Sequence, residues 1–480
     1  MRGVKDCLEF LEKNYPEEIL RVSEEIDPKE CDHAAWEEVL AKEHRYPWLI
    51  FEKAKTWEGN RWRGLFAGVN VSTYKRTALC YGLNLSKTTP FDVILKQYEG
   101  MRNPCPPEII DRKDAPAKEV IWKGKEAQFT SLPIWRNAID DSRPGWMTPI
   151  WVVKDPETGR YNYSWHRGQC LDEKKITVRF VPGRQLHRVF EKYQKMGKNM
   201  PAVGVLGHHP AFYIGSSMSY PWELNETHGV GGIMKVATGK TLRLTTSETW
   251  RDEFLVPADA ELLLEGEIDI HETAGVGPWC DAWRTYAPNV PMSVFKLSCI
   301  TMRETPILEG IIPKEHVIDV ISYSADAYAA LKPRFPGIKG LFMPFLQSII
   351  VSYKPTLPGE SSNLALAMYQ LGLDRVKHVI IVDEDIDVYD MEELFYAIST
   401  RVDARKSVQI VTTMTHPNDP CAKESLLGRP LTVGGLIIDA TTPYEDFPET
   451  GISPPERREK VAKQVEKLLG QYRASSKFSW

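Results

Sequence analysis

Apolar positions change their period three times along this chain, and each change marks a region. The opening VKDCLEFLEKN sets Val4, Leu8 and Leu11 at helical spacing, and a second helix is predicted over 34–42. RYPWLIFEKAK then reads as a short buried strand. Residues 103–118, NPCPPEIIDRKDAPAK, hold four prolines and read as a linker, which puts a first boundary at 118. From 119 to 312 the pattern is mostly β: VIWKG, IWVVKD, KITVRFVP, AVGVLG, FYIGSS, LRLTT, AELLLEGEIDI and SVFKLSCITM are short strands between Gly, Pro and polar turns. The clearest interruption is a helix, QLHRVFEKYQKMG at 185–197. Such a mixture predicts a barrel or split barrel and not a doubly wound sheet.

In the region 313–480 the period changes again. HVIIV (378–382) reads as a strand and DMEELFYAIST (390–400) as a helix, with Asp390 and Glu393 spaced as a capping box. VQIVTTM (408–414) reads as the next strand, so the order strand, helix, strand predicts a parallel βαβ unit. A charged amphipathic helix is predicted from Pro454, with Pro455 in its first turn.

Composition narrows the class. The 480 residues are 42% apolar, enough for a large core in two or three domains, and the formal net charge is −5. That balance argues against general nucleic-acid binding, because no strongly basic face exists to neutralise phosphates. The eight cysteines are scattered with no Cys-x-x-Cys pair, so neither a zinc ribbon nor a thioredoxin-like site is expected. Reduced thiols, no secretory h-region and no apolar stretch long enough to span a membrane together predict a cytoplasmic protein with no membrane association.

Candidate chemistry begins with GVGGIMKVATGKT at 229–241, which resembles a phosphate-wrapping loop. A P-loop needs glycine where Met234 stands and a helix after Thr241, whereas LRLTT reads as a strand. A glycine-rich turn in a β domain is the reading preferred here. DEDID (383–387) lies at the end of a predicted parallel strand; magnesium is the sharper alternative, and solvated acids favouring the next helix start the preferred one. His208-His209-Pro210 reads as a turn before a metal site. Trp165, Trp222, Trp279 and Trp283 read as core, with an aromatic-lined pocket as the alternative.

A constellation in the β region is more informative. YNYSWHR places Asn162 and Arg167 on opposite strand faces unless a turn intervenes. GSSMSYPWELNE sets Ser216, Ser217 and Met218 ahead of Glu226. HETAGVGPWCD puts Glu272 and Asp281 on a loop leaving a strand. Together with LPIWRN, VVKDPETGRYNYSWHR, LEGEIDIHETAGVGP, VIIVDEDIDVYDMEELFYAISTRVD and IIDATTP, in that order, these segments resemble the UbiD family of reversible decarboxylases over nearly the whole chain.

The resemblance implies an α/β (α+β) protein: an N-terminal α/β region (1–118), a split β-barrel holding prenylated FMN (119–312) and a C-terminal α/β oligomerisation domain (313–480). It implies that Asn162, Gln185 and Glu226 hold Mn2+ or Mg2+ on the flavin phosphate, with K+ as a further ion. Ser164, Arg167, Ser216, Ser217 and Met218, with Asn162 and Glu226, then contact the cofactor. Arg167 meets the carboxylate of an aromatic acid, phenolic or heteroaromatic, and Asp281 exchanges the proton at the carbon that loses CO2. A flavin prenyltransferase would supply the cofactor, and the chain would form a homo-oligomer from dimer to hexamer. Three positions depart from the family pattern. Val276 replaces the glutamate partner of the arginine, so Arg167 is expected to lose that carboxylate. Gln185 replaces a histidine ligand, with His187 able to substitute only if the register slips. Gly435 replaces a phosphate-contacting lysine. Alternatives left open are a subunit of a multi-component aryl carboxylase and a non-catalytic assembly or binding subunit.

Overall fold

The computed structural model describes residues 1–480 except 71–72, 288–289, 311–316, 371–375, 416–418, 422–430, 444–446, 449–450, 452 and 470–480. Its centre is a seven-stranded sheet. The strands run in the order Lys175–Val178, Val290–Met302, Leu262–Val276, Met200–Leu206, Ile150–Lys154 and Tyr161–Trp165, with Val120–Lys123 paired on Val290–Met302. All these ladders are antiparallel, as expected of a split barrel. The chain itself crosses the open seam. After Trp165 it turns and runs antiparallel to 176–179, with Cys170 opposite Ile176 and Gln169 N bonded to Thr177 Oγ1 at 2.9 Å. Inside, Trp135, Trp146 and Trp151 are fully buried, and Trp151 meets Phe295 with ring centroids 4.8 Å apart. Burying one such side chain contributes roughly 1.5–3 kcal/mol.

The flanking regions are stitched to this sheet. Ile307–Glu309 leaves the barrel to join the sheet of Ile19–Ile26, Trp48–Ala54 and Leu65–Ala67. Within the proline-rich linker, Glu108–Ile109 pairs in parallel with Arg243–Leu244. The N-terminal helix Val4–Asn14 buries Val4, Leu8 and Leu11 as its spacing predicts.

Four expectations need correction. GVGGIMKVATGKT is no turn: Glu226–Thr238 is a helix, ended by Gly239 in the left-handed region. Its glycines serve packing. A Cβ at Gly232 would lie 2.5 Å from the carbonyl oxygens of Asn103 and Gly100, and one at Gly100 would lie 2.6 Å from Ile233 Cα. The helices Pro90–Arg102 and Glu226–Thr238 therefore touch backbone to backbone. FYIGSS is also helical, within Pro210–Ser216, because Pro210 follows the cap residue His209 and every face of the run is buried. A continuous apolar run does not by itself distinguish a strand from a buried helix.

The predicted βαβ unit is not formed either. Val376–Val382 pairs in parallel with Leu431–Ala440, and Val408–Thr415 lies beyond it, antiparallel. The helix Met391–Arg401 leads almost directly into Ala404–Ser407 and the edge strand, so the later segment takes the central slot. The capping box is half formed: Asp390 accepts from Glu392 N and Glu393 N, whereas the Glu393 carboxylate takes Asp387 N at 2.7 Å. Among the described residues, no helix is long and apolar enough to cross a membrane.

The close helix contact yields a first prediction. Gly232→Ala should destabilise the protein by about 1–3 kcal/mol through overpacking, read as a lowered thermal unfolding midpoint; an unchanged midpoint would show that the two helices can separate freely.

Candidate active site

The strand Tyr161–Trp165 and the first turn of the helix Glu226–Thr238 meet side by side. Asn225 caps the helix and also accepts Tyr161 N at 3.2 Å. Glu226 Oε2 accepts Tyr163 N at 2.6 Å, and Glu226 Oε1 accepts Asn162 Nδ2 at 2.8 Å. Asn162 Nδ2 also reaches Gln185 Oε1 at 3.2 Å, while Gln185 Nε2 donates to Tyr220 O at 2.8 Å. The residues predicted as metal ligands are thus brought together. His187 stands apart, 3.8 Å from Glu191, so the register places Gln185 in the cluster and not the histidine.

This cluster fits a hard divalent cation. Burial pushes the Glu226 carboxyl up to about 8, against the lowering effect of Tyr163 N and Asn162. Asn162 Oδ1 is buried without a partner. Turning that amide over would present Oδ1 beside Glu226 Oε1 and Gln185 Oε1, three oxygens that a cation can hold and nothing else there neutralises. Among the described residues no three His, Cys, Asp or Glu side chains form a metal cluster, as expected when two of three donors are amides.

Arg167 lies just past the strand end, so a turn separates it from the face of Asn162. Its Nη1 donates to Asp281 Oδ2 at 3.0 Å, and its Cζ sits 5.8 Å from the Trp279 ring centre. Arg167 thus has a carboxylate partner, though not from position 276. Val276 packs with Trp146 and Trp279, and the fold brings in Asp281 instead from beyond the short strand Trp279–Cys280. Asp281 Oδ1 accepts Ala282 N at 2.6 Å. Glu272 is outside the site: it lies in the strand Leu262–Val276 and pairs with Lys175 and Lys296, both at 2.7 Å.

Ser164 Oγ meets His166 Nε2 at 2.7 Å. Ser216 Oγ is buried without a partner at the end of its helix, Ser217 Oγ donates to Tyr213 O at 3.0 Å, and Met218 is buried. Trp165 stacks on Tyr213, ring centroids 5.0 Å apart, whereas Trp222 lies under the cations of Lys192 and Arg188. The lysine slot at Gly435 is closed, since a Cβ there would lie 2.6 Å from Lys377 O.

Other candidates resolve into structure. DEDID is not simply solvated: Arg401 pairs with Asp383 at 2.8 Å and Asp385 at 2.7 Å, tying the helix end back to the strand end. His208 and His209 are buried rather than at a surface turn, and burial holds them down to about 4 and about 3.

Three participants escaped the sequence reading. Arg179 follows the strand Lys175–Val178, and its N lies 3.4 Å from Arg167 O. Burial first, then the Arg167 charge, lowers it to about 9. Burial and the charges of Arg184, Arg179 and Arg167 hold His166 neutral, down to about 3. Glu309 accepts Asn70 N at 2.9 Å and His208 N at 3.3 Å, and burial raises it to about 8. The hairpin register of 167–179 could have exposed Arg179; for Glu309 no local signal existed.

Comparison with known proteins agrees with this geometry. Residues 108–316 match the 3-octaprenyl-4-hydroxybenzoate carboxy-lyase Rift-related domain, and residues 316–440 match the C-terminal domain of the same family. The chain belongs to the UbiD family. It is 26% identical to a phenolic acid decarboxylase of Sedimentibacter hydroxybenzoicus, covering 97% of this chain and 98% of that one. An uncharacterized protein of Archaeoglobus fulgidus is 30% identical over 69% of this chain and 68% of its own. The UbiD-class enzyme HmfF of Pelotomaculum thermopropionicum, solved with FMN, superposes at TM-score 0.82, with 26% identity and coverage of 96% and 99%. The vanillic acid decarboxylase of Sedimentibacter hydroxybenzoicus in open form gives TM-score 0.83, with 25% identity and coverage of 98% and 99%. As a UbiD-family member the chain is a decarboxylase, a carboxy-lyase.

The raised Glu309 carboxyl sets a pH dependence. Its pKa is higher in the fold than the ordinary 4.5, so the stability it contributes is present at acid pH and is lost as pH rises through about 8. The unfolding midpoint of Glu309→Gln relative to the native protein should therefore climb between about pH 5 and about pH 8; a constant difference would show that Glu309 does not titrate in this range.

Proposed function

We propose that this protein is a non-oxidative, reversible decarboxylase of a phenolic or heteroaromatic acid that uses prenylated FMN. The observation that carries the reading is the Arg167–Asp281 pair, 3.0 Å apart beside Trp279, on a barrel that also gathers Asn162, Gln185 and Glu226. Prenylated FMN supplies an electron sink for the carbanion character that decarboxylation leaves on carbon. Asn162, Gln185 and Glu226 would hold a divalent cation, Mn2+ or Mg2+, with K+ as a further ion, and Ser164, Ser216, Ser217 and Met218 would contact the cofactor.

Arg167 binds the substrate carboxylate. In the free protein that guanidinium pairs with Asp281, which would set the acid beside the bound carboxylate. As CO2 leaves, the ring carbon takes the Asp281 proton, and the reverse path is carboxylation with Asp281 accepting that proton. A flavin prenyltransferase provides the cofactor, and the active form is a cytoplasmic homo-oligomer. The relative solved as VdcCD includes a second component, VdcD, which favours a second reading in which this chain needs a partner subunit for activity.

Protein co-expressed with a flavin prenyltransferase and purified anaerobically should carry a bound flavin spectrum; its absence would favour a non-catalytic role. In loaded protein, Asp281→Asn should slow CO2 exchange about 10²–10⁴-fold with the spectrum unchanged, and undiminished exchange would remove Asp281 from its role. Added Mn2+ should raise the thermal midpoint of the native protein and leave that of Glu226→Gln unmoved; equal shifts would place the metal elsewhere.

A further inference from the structure

Asp281 does not stand on a barrel strand. It opens the turn of a small hairpin, Trp279–Cys280 against Tyr286–Ala287, whose ladder is two residue pairs long. Asp281 N bonds Thr285 O at 3.0 Å, and the turn is closed by Arg284, a non-glycine residue in the left-handed region at φ 59°. So short a hairpin does not hold its own shape in water, yet Asp281 meets Arg167 Nη1 at 3.0 Å. Its order comes from contacts at the root. Gln169 Oε1, two residues beyond Arg167, accepts Gly277 N at 3.1 Å. From the other side, Ser142 N bonds Pro278 O at 3.0 Å, and Asp141 Oδ1 accepts Cys280 N at 2.6 Å. Asp141 Oδ2 accepts Asn137 N at 2.8 Å and Ala138 N at 3.3 Å, and Tyr286 OH accepts Asp140 N at 3.0 Å. The loop 136–141 is itself anchored, because Arg136 donates to Asp141 O and to Lys29 O, both at 3.0 Å. Asp141 is buried, and burial pushes its carboxyl up against the pull of those amide groups. A buried acid is costly unless its bonds do something; here they join the loop to the residue before Asp281.

We propose that Asp141 is a positioning residue for the proton carrier: its carboxylate bridges the loop 136–141 to Cys280 N and so fixes Asp281 on Arg167. This deepens the proposed function and rests on its assignment of the proton to Asp281. A carboxylate suits the task because both of its oxygens accept, whereas an amide in its place would turn an NH2 toward an N–H donor. Reacting groups displaced by a fraction of an ångström lose rate steeply, so an acid on a short hairpin needs such a brace.

The test is a double-mutant cycle on thermal unfolding of the full-length protein, with Asp281→Asn made in the native chain and in Asp141→Asn. The midpoint change caused by Asp281→Asn should be at least halved in the Asp141→Asn background, because the pair it removes is already loosened there. A merely structural Asp141 would give additive changes. Hydrogen exchange read by mass spectrometry should quicken about ten-fold or more across residues 279–287 in Asp141→Asn, the size expected of a lost hydrogen bond to a charged group. The strand Met200–Leu206 should keep its native rate. Equal midpoint changes in both backgrounds, no change in either, unchanged exchange at 279–287, or equal quickening of Met200–Leu206 would each overturn the role. Should Asp141→Asn not fold, Asp141→Ser, which keeps one acceptor and adds no bulk, takes its place under the same criteria. Neither measurement needs a substrate. Coupling without CO2 exchange would therefore count against the proposed reaction, and CO2 exchange without coupling against the positioning role alone.

Discussion

The buried carboxylate of Glu226 is the contact on which the site depends. One oxygen accepts the backbone N of Tyr163 at 2.6 Å and the other the amide of Asn162 at 2.8 Å, so the start of a helix is pinned to a strand of the barrel. Pinning fixes the strand's face, and with it Ser164; it also fixes where Gln185, at the start of another helix, comes to lie. A carboxyl so deeply buried favours its uncharged form, and in the proposed function a cation would join this same contact. The close glycine packing behind the helix keeps that first turn from drifting.

Charge in the neighbouring hairpin follows the opposite logic. There the fold gathers Arg167, Arg179 and Arg184 around a neutral His166, and Asp281 pairs with Arg167 at 3.0 Å. Val276 packs in the apolar cluster of Trp146 and Trp279, and the carboxylate on Arg167 is that of Asp281. Asp281 is the counter-ion of Arg167, and in the proposed reaction the same acid carries the proton.

Much of the molecule is legible in the letters because its strands and surface helices bury one face at a fixed period. The barrel strands, the helix Gln185–Met196 and the terminal helix Pro455–Leu469 fall where the pattern puts them. Where the pattern failed, the cause is specific. Glu226–Thr238 and Pro210–Ser216 are buried on nearly all sides, so neither shows an amphipathic stripe, and glycine in the first marks backbone contact instead of a turn. The C-terminal sheet order turned on a strand, Leu431–Ala440, that intervenes between two segments closer to each other in sequence.

The sequence by itself determined the family, through its resemblance, and most of the antiparallel strands, because local period does not need a third dimension; Asn162, Glu226, Arg167 and Asp281 were the candidates that the resemblance implied. Tertiary structure alone decided that Asp281 answers Arg167 and that Arg179 lies opposite Arg167. Those outcomes depend on which side chains meet after strands and helices are docked: a helix rotated by one residue, a loop folding back over a hundred positions, a register across a seam. Such distances exist only once the core has closed.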